Sequence, residues 1–446
     1  MNIYLTSLLF LIPIFLLLSR TRRYSKRIPP GSLGIPLIGQ SLGFLRALHT
    51  NTAEKWLEDR IKKYGPVSKL SILGKPTVFI HGQAANKFVF HNNSSILANQ
   101  QPESFAKILG DRNLLEVSAP DHKRIREALV SFLKPESLKQ YVGKADEEIR
   151  KHIEIYWKGK QTVTVLPVMK ILTFDIICSL LFASGKALRA QKLVKELVHE
   201  KRALLEKKGA SPRQDLITSL VSMHDEDGKP VLIDKEIVQN VVLSLLGGYE
   251  TSATVITFII RQLANEPTVC AAVLQEQQEI AKSKASGESL TWEDLAKMKY
   301  TWRVVMETMR MFPPIFGGFR KALTDIEFDG YLIPKGWQIL WVAPMTHMDN
   351  RIFPEPSKFN QSRFENQASI PPYSFIAFRG GSRMCPAYDF GRIEILITIH
   401  YLLTQYKWKL CGDNSFIRDP MPEPSQGLPI KVWPRDSHRF LLPSEK

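Results

Sequence analysis

The chain has 446 residues, of which 44% are hydrophobic and 23% are charged. These values lie in the range of globular proteins and exclude a mostly disordered, fibrous or collagen-like chain. The length suits two or three average domains, or one large enzyme domain with a substantial core. The four cysteines are scattered and form no CxxC pair, so neither a disulfide scaffold nor a zinc site is indicated.

The chain is basic, with 60 lysine and arginine residues against 44 acidic ones and a formal charge of +16. Nucleic-acid binding requires a basic stripe with interleaved aromatic residues or a known module, and the sequence contains neither. We therefore expect no nucleic acid as a partner. A membrane surface or an acidic protein partner would explain the charge, and so would a surface of individually solvated lysines.

The first 19 residues contain no charge, and five basic residues follow them between Arg20 and Arg27. A helix of this length just spans the hydrocarbon core of a bilayer. A cleaved secretory signal would instead carry its basic residues before the apolar run and a small-residue cleavage site after it. We predict a retained, single-pass signal anchor at residues 1–19, with the rest of the chain in the cytosol. The endoplasmic reticulum is the default membrane, and the few cysteines agree with a reducing compartment.

Residues 20–40 are basic and then rich in proline and glycine, which predicts a stiff, non-helical connector. After it, apolar spacing predicts one large domain at residues 41–446 that is mainly α with small β-sheets. Two hairpins are predicted, over Val67–Ile80 and over Asp325–Leu340, the second with Asp329-Gly330 as its turn. The predicted helices are Thr52–Lys63, Asp121–Phe132, Pro135–Trp157, Val165–Phe182, Lys186–Lys208, Asp215–Met223, Asp234–Asn265, Pro267–Ser283, Thr291–Met311 and Arg392–Tyr406.

A pair of glycines, Gly247 and Gly248, lies in the middle of the predicted helix Asp234–Asn265 and precedes Glu250 and Thr251. Each glycine inside a helix costs roughly 1 kcal/mol against alanine. A ligand packed closely over the glycine face would explain that cost and would lie beside Thr251. The alternative is a glycine pair that serves helix packing.

Near the C-terminus, residues 378–387 read FRGGSRMCPA. Gly380 and Gly381 lack Cβ atoms, so their backbone can pass close to a flat ligand. A cysteine just before a helix N-terminus gains from the free amides, which lower its pKa and suit it to bind a metal. A haem iron held by one thiolate is the form that cleaves O–O bonds. The alternative for Cys385 is a buried structural cysteine in a glycine turn.

Taken together and in this order, these motifs resemble those of the cytochrome P450 family, the haem-thiolate monooxygenases, over nearly the whole chain. The run from Phe312 to Trp337 is most similar to the plant branch of terpenoid and sterol oxidases. The resemblance implies the cytochrome P450 fold and a heme b cofactor (iron protoporphyrin IX). It implies that Cys385 is the iron ligand, with further haem contacts from His122, Arg126, Arg320, Phe378 and Arg383.

The resemblance also implies the catalytic groups. Thr251 would hydrogen-bond dioxygen, and Glu250 would relay protons to it through water. Glu307, Arg310 and Arg363 would form a buried charge network that is structural, and we interpret His347 as structural too. Electrons would come from NADPH through a separate NADPH-cytochrome P450 reductase that docks on the basic face near Cys385. The substrate would be a small lipophilic terpenoid or sterol, oxidised with O₂.

The sequence departs from the family pattern in three places. Ala387 replaces a glycine, and Arg379 and Ser382 stand where this branch more often has glycine and proline. Phe182 is followed almost directly by Lys186, whereas relatives have a helix and a loop there that roof the substrate pocket. This gap leaves a second function open: a catalytically impaired haem-binding paralogue, or a splice or gene-model variant. A reductase-independent isomerase or lyase is disfavoured by Thr251. Substrate contacts are expected in variable loops that include Gln101–Leu109 and Gln426–Pro429.

Overall fold

The computed structural model describes residues 27–91, 96–182, 190–207, 214–285, 287–418 and 421–435, together with Gly209 and Ser211. The predicted membrane anchor at residues 1–19 lies outside the described residues. So do residues 183–189, at the predicted site of the missing segment. The described part is mainly helical with small sheets, as the sequence predicted.

The helices of the described part are α1 Ser41–His49, α2 Ala53–Tyr64, α3 Gln83–His91, α4 Glu103–Leu109, α5 Asp121–Phe132, α6 Pro135–Tyr156, α7 Val165–Phe182, α8 Ala190–Glu206, α9 Leu216–Ser222, α10 Asp234–Asn265, α11 Pro267–Lys282, α12 Trp292–Lys297, α13 Lys299–Met311, α14 Ala343–His347 and α15 Tyr388–Gln405. The strands are β1 Val67–Ile72, β2 Lys75–Ile80, β3 Leu97–Gln100, β4 Thr162–Thr164, β5 Gly317–Ala322, β6 Ile326–Phe328, β7 Tyr331–Ile333, β8 Gln338–Val342, β9 Tyr406–Leu410, β10 Phe416–Arg418, β11 Pro422–Pro424 and β12 Pro429–Pro434.

The helical core is built around α10, which packs along α7 and also contacts α8, α13 and α15. Both α7 and α10 are long and apolar enough to cross a membrane by length and composition alone. However, 61% of the apolar stretch of α7 and 50% of that of α10 are buried inside the protein. They are therefore core helices, and their hydrophobicity reflects burial against neighbouring helices.

The largest sheet has the strand order β1-β2-β8-β5-β3. β1 and β2 form the predicted hairpin. The prediction of a hairpin over Asp325–Leu340 is wrong in its second half. Asp329 and Gly330 do turn between the short strands β6 and β7, both with positive φ. β8, in contrast, lies parallel to β2 and antiparallel to β5, because all five of its residues are buried and such a strand belongs in a sheet interior.

Three further predictions are corrected at the level of single elements. The predicted helix Thr291–Met311 is divided at Met298, where ψ is 53° and the backbone leaves the helical region. The predicted substrate loop Gln101–Leu109 is mostly α4, a short helix that exposes Phe105 and Ile108. The short helices α1 and α3 were not predicted from the sequence.

The end of the proline-rich segment is fixed to the sheet. The amide of Lys69 donates to the Pro30 carbonyl at 2.8 Å, and the amide of Gln40 donates to the Ser71 carbonyl at 2.8 Å. Gly39 has a φ of +66°, and a Cβ atom there would lie 2.3 Å from the Ser71 carbonyl oxygen. The chain therefore enters the domain along β1 in a fixed orientation.

A buried charge network joins α13 to the segment that precedes the cysteine loop. Glu307 and Arg310 are fully buried and form a bidentate pair at 2.7 and 2.8 Å, and Arg363 Nε lies 3.4 Å from Glu307. Arg310 also donates to the carbonyls of His347 and Pro356 at 2.8 and 2.7 Å. The network predicted from the sequence is therefore present in the fold, and it is fully hydrogen-bonded.

We expect Arg310→Met to destabilise the fold by about 3–5 kcal/mol, because it removes the bidentate partner of the buried Glu307 carboxylate and leaves only the longer contact with Arg363. The matched control is Arg303→Met. Arg303 pairs with Glu365 at 2.9 Å on the surface, and we expect a loss below about 1 kcal/mol. Urea unfolding followed by circular dichroism measures both. Equal losses of unfolding free energy in the two variants would show that the buried Glu307 network stabilises the fold no more than a surface ion pair does.

Candidate functional site

The predicted cysteine loop is a tight turn that leads into α15. The Cys385 amide donates to the Phe378 carbonyl at 2.9 Å, which closes the loop at its base. A short 3₁₀ turn, Gly381–Arg383, forms its tip, and α15 begins at Tyr388. The ring of Phe378 meets the edge of Tyr388 at 4.7 Å and so ties the loop to α15. Cys385 is thus held shortly before a helix N-terminus, as predicted.

The electrostatics of Cys385 are only partly as predicted. Burial raises the pKa of its thiol, although the residue stays partly accessible, while the Ala387 amide and the charges of Arg379 and Arg126 lower that pKa. Together these effects raise the pKa of the Cys385 thiol, so the prediction of a lowered pKa is wrong for the polypeptide without a bound metal. A bound metal ion would favour the thiolate at this position, and iron is a metal that cysteine sulfur ligates.

Two of the predicted cofactor cations approach this loop from other parts of the fold, and the third, Arg383, belongs to the loop itself. Arg126 of α5 donates to the Met384 carbonyl at 2.7 Å. Arg383 donates to the carbonyls of Leu114 and Val117 at 3.1 and 3.3 Å. Arg320 of β5 is 3% exposed and donates to Asn99 Oδ1 at 2.6 Å. The structure therefore brings Arg126, Arg320 and Arg383 together.

These guanidinium groups lack anionic partners. Among the described residues, none of the three forms an ion pair with a carboxylate, and Arg320 Nε is buried without a hydrogen-bond acceptor. Burial and mutual repulsion lower the pKa of Arg320 to about 9 and that of Arg383 to about 10. A buried cation without a counter-ion is costly, and Arg320 is one, with the half-buried Arg126 and Arg383 near it. The site therefore suits a ligand with carboxylates, such as the two propionates of haem.

His122 is 7% exposed on α5, one turn before Arg126. Burial and then the charges of Arg383, Arg126 and Arg320 lower the pKa of His122 to about 4. The imidazole is therefore neutral at pH 7. It can donate a hydrogen bond to a carboxylate but adds no positive charge.

Arg379 is a member of this cluster that the sequence marked only as a departure from the family pattern. Its backbone has a φ of +63°, in the left-handed region that favours glycine. For any other residue this conformation costs roughly 1–2 kcal/mol. Its charge lowers the pKa of Cys385, Arg320 and Arg383. The sequence indicated that this position is unusual, since it has an arginine near the predicted metal ligand where the family branch more often has a glycine.

The glycines of the loop make close contacts within the protein that were not predicted from the sequence. A Cβ atom on Gly381, where φ is +57°, would lie 2.2 Å from the Phe90 carbonyl oxygen of α3. A Cβ atom on Gly380 would lie 3.1 Å from the ring of Tyr373. The described contacts that require glycine at these positions come from the protein itself. These contacts pack the loop against α3, a helix that was not predicted from the sequence.

The glycine pair of α10 has two different roles. A Cβ atom on Gly248 would lie 3.1 Å from Ile177 Cδ1, so this glycine lets α10 approach α7. A Cβ atom on Gly247 would meet no atom within 4 Å. Thr251 lies one turn further on, half-buried, and its hydroxyl donates to the Gly247 carbonyl at 2.6 Å. Glu250 Oε1 accepts a hydrogen bond from the Tyr249 hydroxyl at 3.1 Å. The alternative of helix packing therefore holds for Gly248, and Gly247 with Thr251 borders open space.

A buried carboxyl that sequence reasoning missed lies next to this motif. Glu394 of α15 is fully buried, and its Oε2 accepts a hydrogen bond from the hydroxyl of Ser252 at 2.7 Å, while Oε1 has no partner. Burial raises the pKa of Glu394 to about 8, against the lowering effect of the Ser252 hydrogen bond. The side chain is therefore mostly protonated at pH 7. It could not be found from the sequence, because only the packing of α10 on α15 removes it from water.

Comparison with known proteins identifies the family of the chain. The profile of the Cytochrome P450 family matches residues 29–195 and 185–431. These stretches include most of the chain, and the protein therefore belongs to the cytochrome P450 family. It is an oxidoreductase that incorporates molecular oxygen, and its cofactor is haem.

Individual relatives cover nearly the whole chain. Taxane 10-beta-hydroxylase of Taxus cuspidata is 36% identical, over 95% of this chain and 93% of the relative. Beta-amyrin 28-monooxygenase of Medicago truncatula is 37% identical, over 97% of this chain and 99% of the relative. The solved structure titled "Retinoic acid bound cyanobacterial CYP120A1" superposes with a TM-score of 0.80 at 27% identity, and covers 92% of this chain and 100% of that one.

Two features of these matches bear on the predicted gap after Phe182. The family profile matches in two stretches that overlap at residues 185–195. The alignment with the Medicago truncatula relative is 476 residues long. This chain has 446 residues, so at least 30 positions (476 − 446) of that alignment have no residue here. The missing segment itself stays a prediction.

We expect Gly381→Ala to destabilise the fold by roughly 2–4 kcal/mol, because the new methyl group meets the Phe90 backbone and φ is unfavourable. The matched control is Gly412→Ala, where a Cβ atom would meet nothing within 4 Å. We expect that change to stay within about 0.5 kcal/mol. Chemical unfolding of both variants measures the difference. A neutral Gly381→Ala would show that the loop is not seated on α3 in this way.

We expect Glu394→Gln to stabilise the protein more at pH 8 than at pH 5. The folded pKa is raised above the unfolded value of about 4.3, so the unfolded chain loses its proton first and wild-type stability falls as the pH rises between the two values. The amide removes this loss and still accepts from Ser252. Unfolding midpoints of wild type and variant across this pH range test it. Parallel curves would contradict a raised pKa.

Proposed function

We propose that this protein is a membrane-anchored haem-thiolate monooxygenase that oxidises a lipophilic terpenoid or sterol with O₂ and electrons from NADPH. The observation that carries the proposal is the convergence of Arg126, Arg320 and Arg383, without carboxylate partners, around the loop that holds Cys385. A thiol and uncompensated guanidinium groups are the donor set that a haem with two propionates requires.

Each site residue then has a stated task. Cys385 holds the iron, and Arg126, Arg320 and Arg383 hold the propionates, with His122 as a neutral donor and Phe378 packed beside the loop. The haem supplies the oxygen-activating chemistry. The Thr251 hydroxyl donates to the Gly247 carbonyl and retains acceptor capacity for a water. It thereby positions a proton at the edge of the open space beside Gly247. Glu250, the residue before Thr251, exchanges protons with solvent.

The substrate class rests on similarity. Relatives named for the oxidation of taxanes and of β-amyrin are 35–38% identical to the chain. Both names denote terpenoids, which are rigid and apolar. We infer a terpenoid or sterol substrate, with a C–H bond converted to a C–OH bond and the second oxygen atom released as water.

We infer three regions from the sequence: a transmembrane anchor at residues 1–19, a linker at 20–40 and a catalytic domain at 41–446. The uncharged first stretch, followed by basic residues, supports an anchor in the endoplasmic reticulum membrane with the domain in the cytosol. The formal charge of +16 supports docking of an acidic NADPH-cytochrome P450 reductase.

The second candidate is a haem-binding protein that has lost turnover. The two-part family match and the excess length of the relatives' alignments favour it. Against it, α8 packs on the core and contacts the end of α7. Lys201 of α8 forms a buried pair with Asp215 at 2.6 Å and lies 3.4 Å from the Phe182 carbonyl that ends α7. Val194 and Val198 of α8 are in the core. A shortened chain can therefore fold around the same site.

One measurement distinguishes the two candidate functions. The full-length protein is reconstituted in vesicles with a plant reductase and NADPH, and supplied with a taxane-type diterpene, β-amyrin or a sterol under ¹⁸O₂. The first candidate predicts a product that carries one ¹⁸O atom and needs both NADPH and reductase. Bound haem without an oxidised product from any of these substrates would favour the second candidate.

We expect Thr251→Ala to lower product formation by about a hundredfold relative to NADPH consumption, with more peroxide formed, because the positioned proton is lost. Thr251→Ser keeps the hydroxyl and should keep most of the product yield. Parallel assays of NADPH, peroxide and product measure the split. Equal loss in both variants would show that the side-chain packing of Thr251 matters and not its hydroxyl.

A further inference from the structure

Arg379 is the one guanidinium beside Cys385 that forms no side-chain hydrogen bond or ion pair within the described residues. Its neighbours Arg126, Arg320 and Arg383 are each fixed by a carbonyl or amide oxygen. Arg379 also holds a backbone conformation, φ +63°, that glycine would adopt without strain. A strained position is thus occupied by a long, charged and unpaired side chain.

Arg379 directly follows Phe378, whose carbonyl accepts the hydrogen bond of the Cys385 amide at 2.9 Å, so Arg379 lies at the base of the loop that holds the sulfur. Its charge also lowers the pKa of Cys385, Arg320 and Arg383. No described carboxylate pairs with it. Two propionates are matched in number by Arg320 and Arg383, with Arg126 as a third cation, so the positive charge of Arg379 is in excess of what cofactor binding needs.

We propose that Arg379 is an electrostatic positioning residue that raises the reduction potential of the haem iron held by Cys385. Reduction of the ferric iron takes one electron from the reductase, whose flavin is oxidised, and adds one negative charge to the site. A positive charge close to the thiolate favours the state with the added negative charge. Net charge around the iron is one of the quantities by which a protein sets this potential.

The proposal explains why a strained arginine stands in this loop. It rests on the proposed ligation of the iron by Cys385. The benefit would be an easier first electron transfer from the reductase, and the local backbone strain would be the cost. Salt in the buffer should change the effect little, because a buried charge is screened less than an exposed one.

The experiment is a reductive titration of the purified full-length holoprotein, with mediator dyes and without oxygen, in wild type and three variants. Arg379→Gly removes the charge and suits the backbone conformation, so it should fold at least as stably as wild type. Arg379→Lys keeps the charge. Asn51→Gly relieves a positive φ of +54° between α1 and α2 without any change of charge.

We expect Arg379→Gly to lower the equilibrium constant for reduction about tenfold, a shift of about 59 mV to more negative potential for one electron. Arg379→Lys should recover most of this shift, and Asn51→Gly should leave the potential at the wild-type value. A purely structural role for Arg379 would change thermal stability but not the potential.

Two results overturn the inference. One is an unchanged potential in Arg379→Gly that still shows the thiolate-type band with carbon monoxide. The other is an equal shift in Arg379→Gly and Arg379→Lys, which would mean that the charge is irrelevant. A wild-type protein that binds haem without a thiolate-type band would instead contradict the ligation by Cys385, and this inference with it.

Discussion

The structure depends on a group of positive charges that the polypeptide does not neutralise. Four arginines lie at one loop: Arg379 and Arg383 belong to it, and Arg126 and Arg320 approach it. Among the described residues, none of the four is paired with a carboxylate. Repulsion and desolvation oppose such an arrangement unless an anionic ligand completes it. A haem supplies two carboxylates and an iron for the Cys385 sulfur, so cofactor binding and folding of this region are one process. The surrounding elements, β3 with β5, α5 and α15, place the charges.

A second constraint comes from α10, which must serve the core and the site at once. Gly248 allows α10 to approach Ile177 of α7, while Gly247 and Thr251, one turn apart, border the open side. Behind them, Ser252 reaches the buried carboxyl of Glu394 on α15. The helix that carries the proposed proton-delivery group is thus anchored on both sides. The contacts with α7 and α15 hold the part of α10 that carries Thr251.

Much of this architecture was predictable from the sequence, and the failures have physical reasons. Long helices such as α7 and α10 were placed correctly because their apolar repeats extend over many turns. β8 was assigned to the wrong partner because its pairing with β2 joins residues far apart in the chain, which local pattern cannot show. The contact of Gly381 with Phe90 was missed because it joins the loop to α3, a helix distant in the chain that was not predicted. The raised pKa of Cys385 and of Glu394 follows from burial, which appears only in three dimensions.

The central claim is that the sulfur of Cys385 holds the iron. The most direct test is the spectrum of the reduced protein with carbon monoxide, for wild type, Cys385→Ser and the exposed control Cys411→Ser. The account predicts the red-shifted thiolate-type Soret band in wild type and in Cys411→Ser, and its loss in Cys385→Ser. An unchanged band in Cys385→Ser would contradict it.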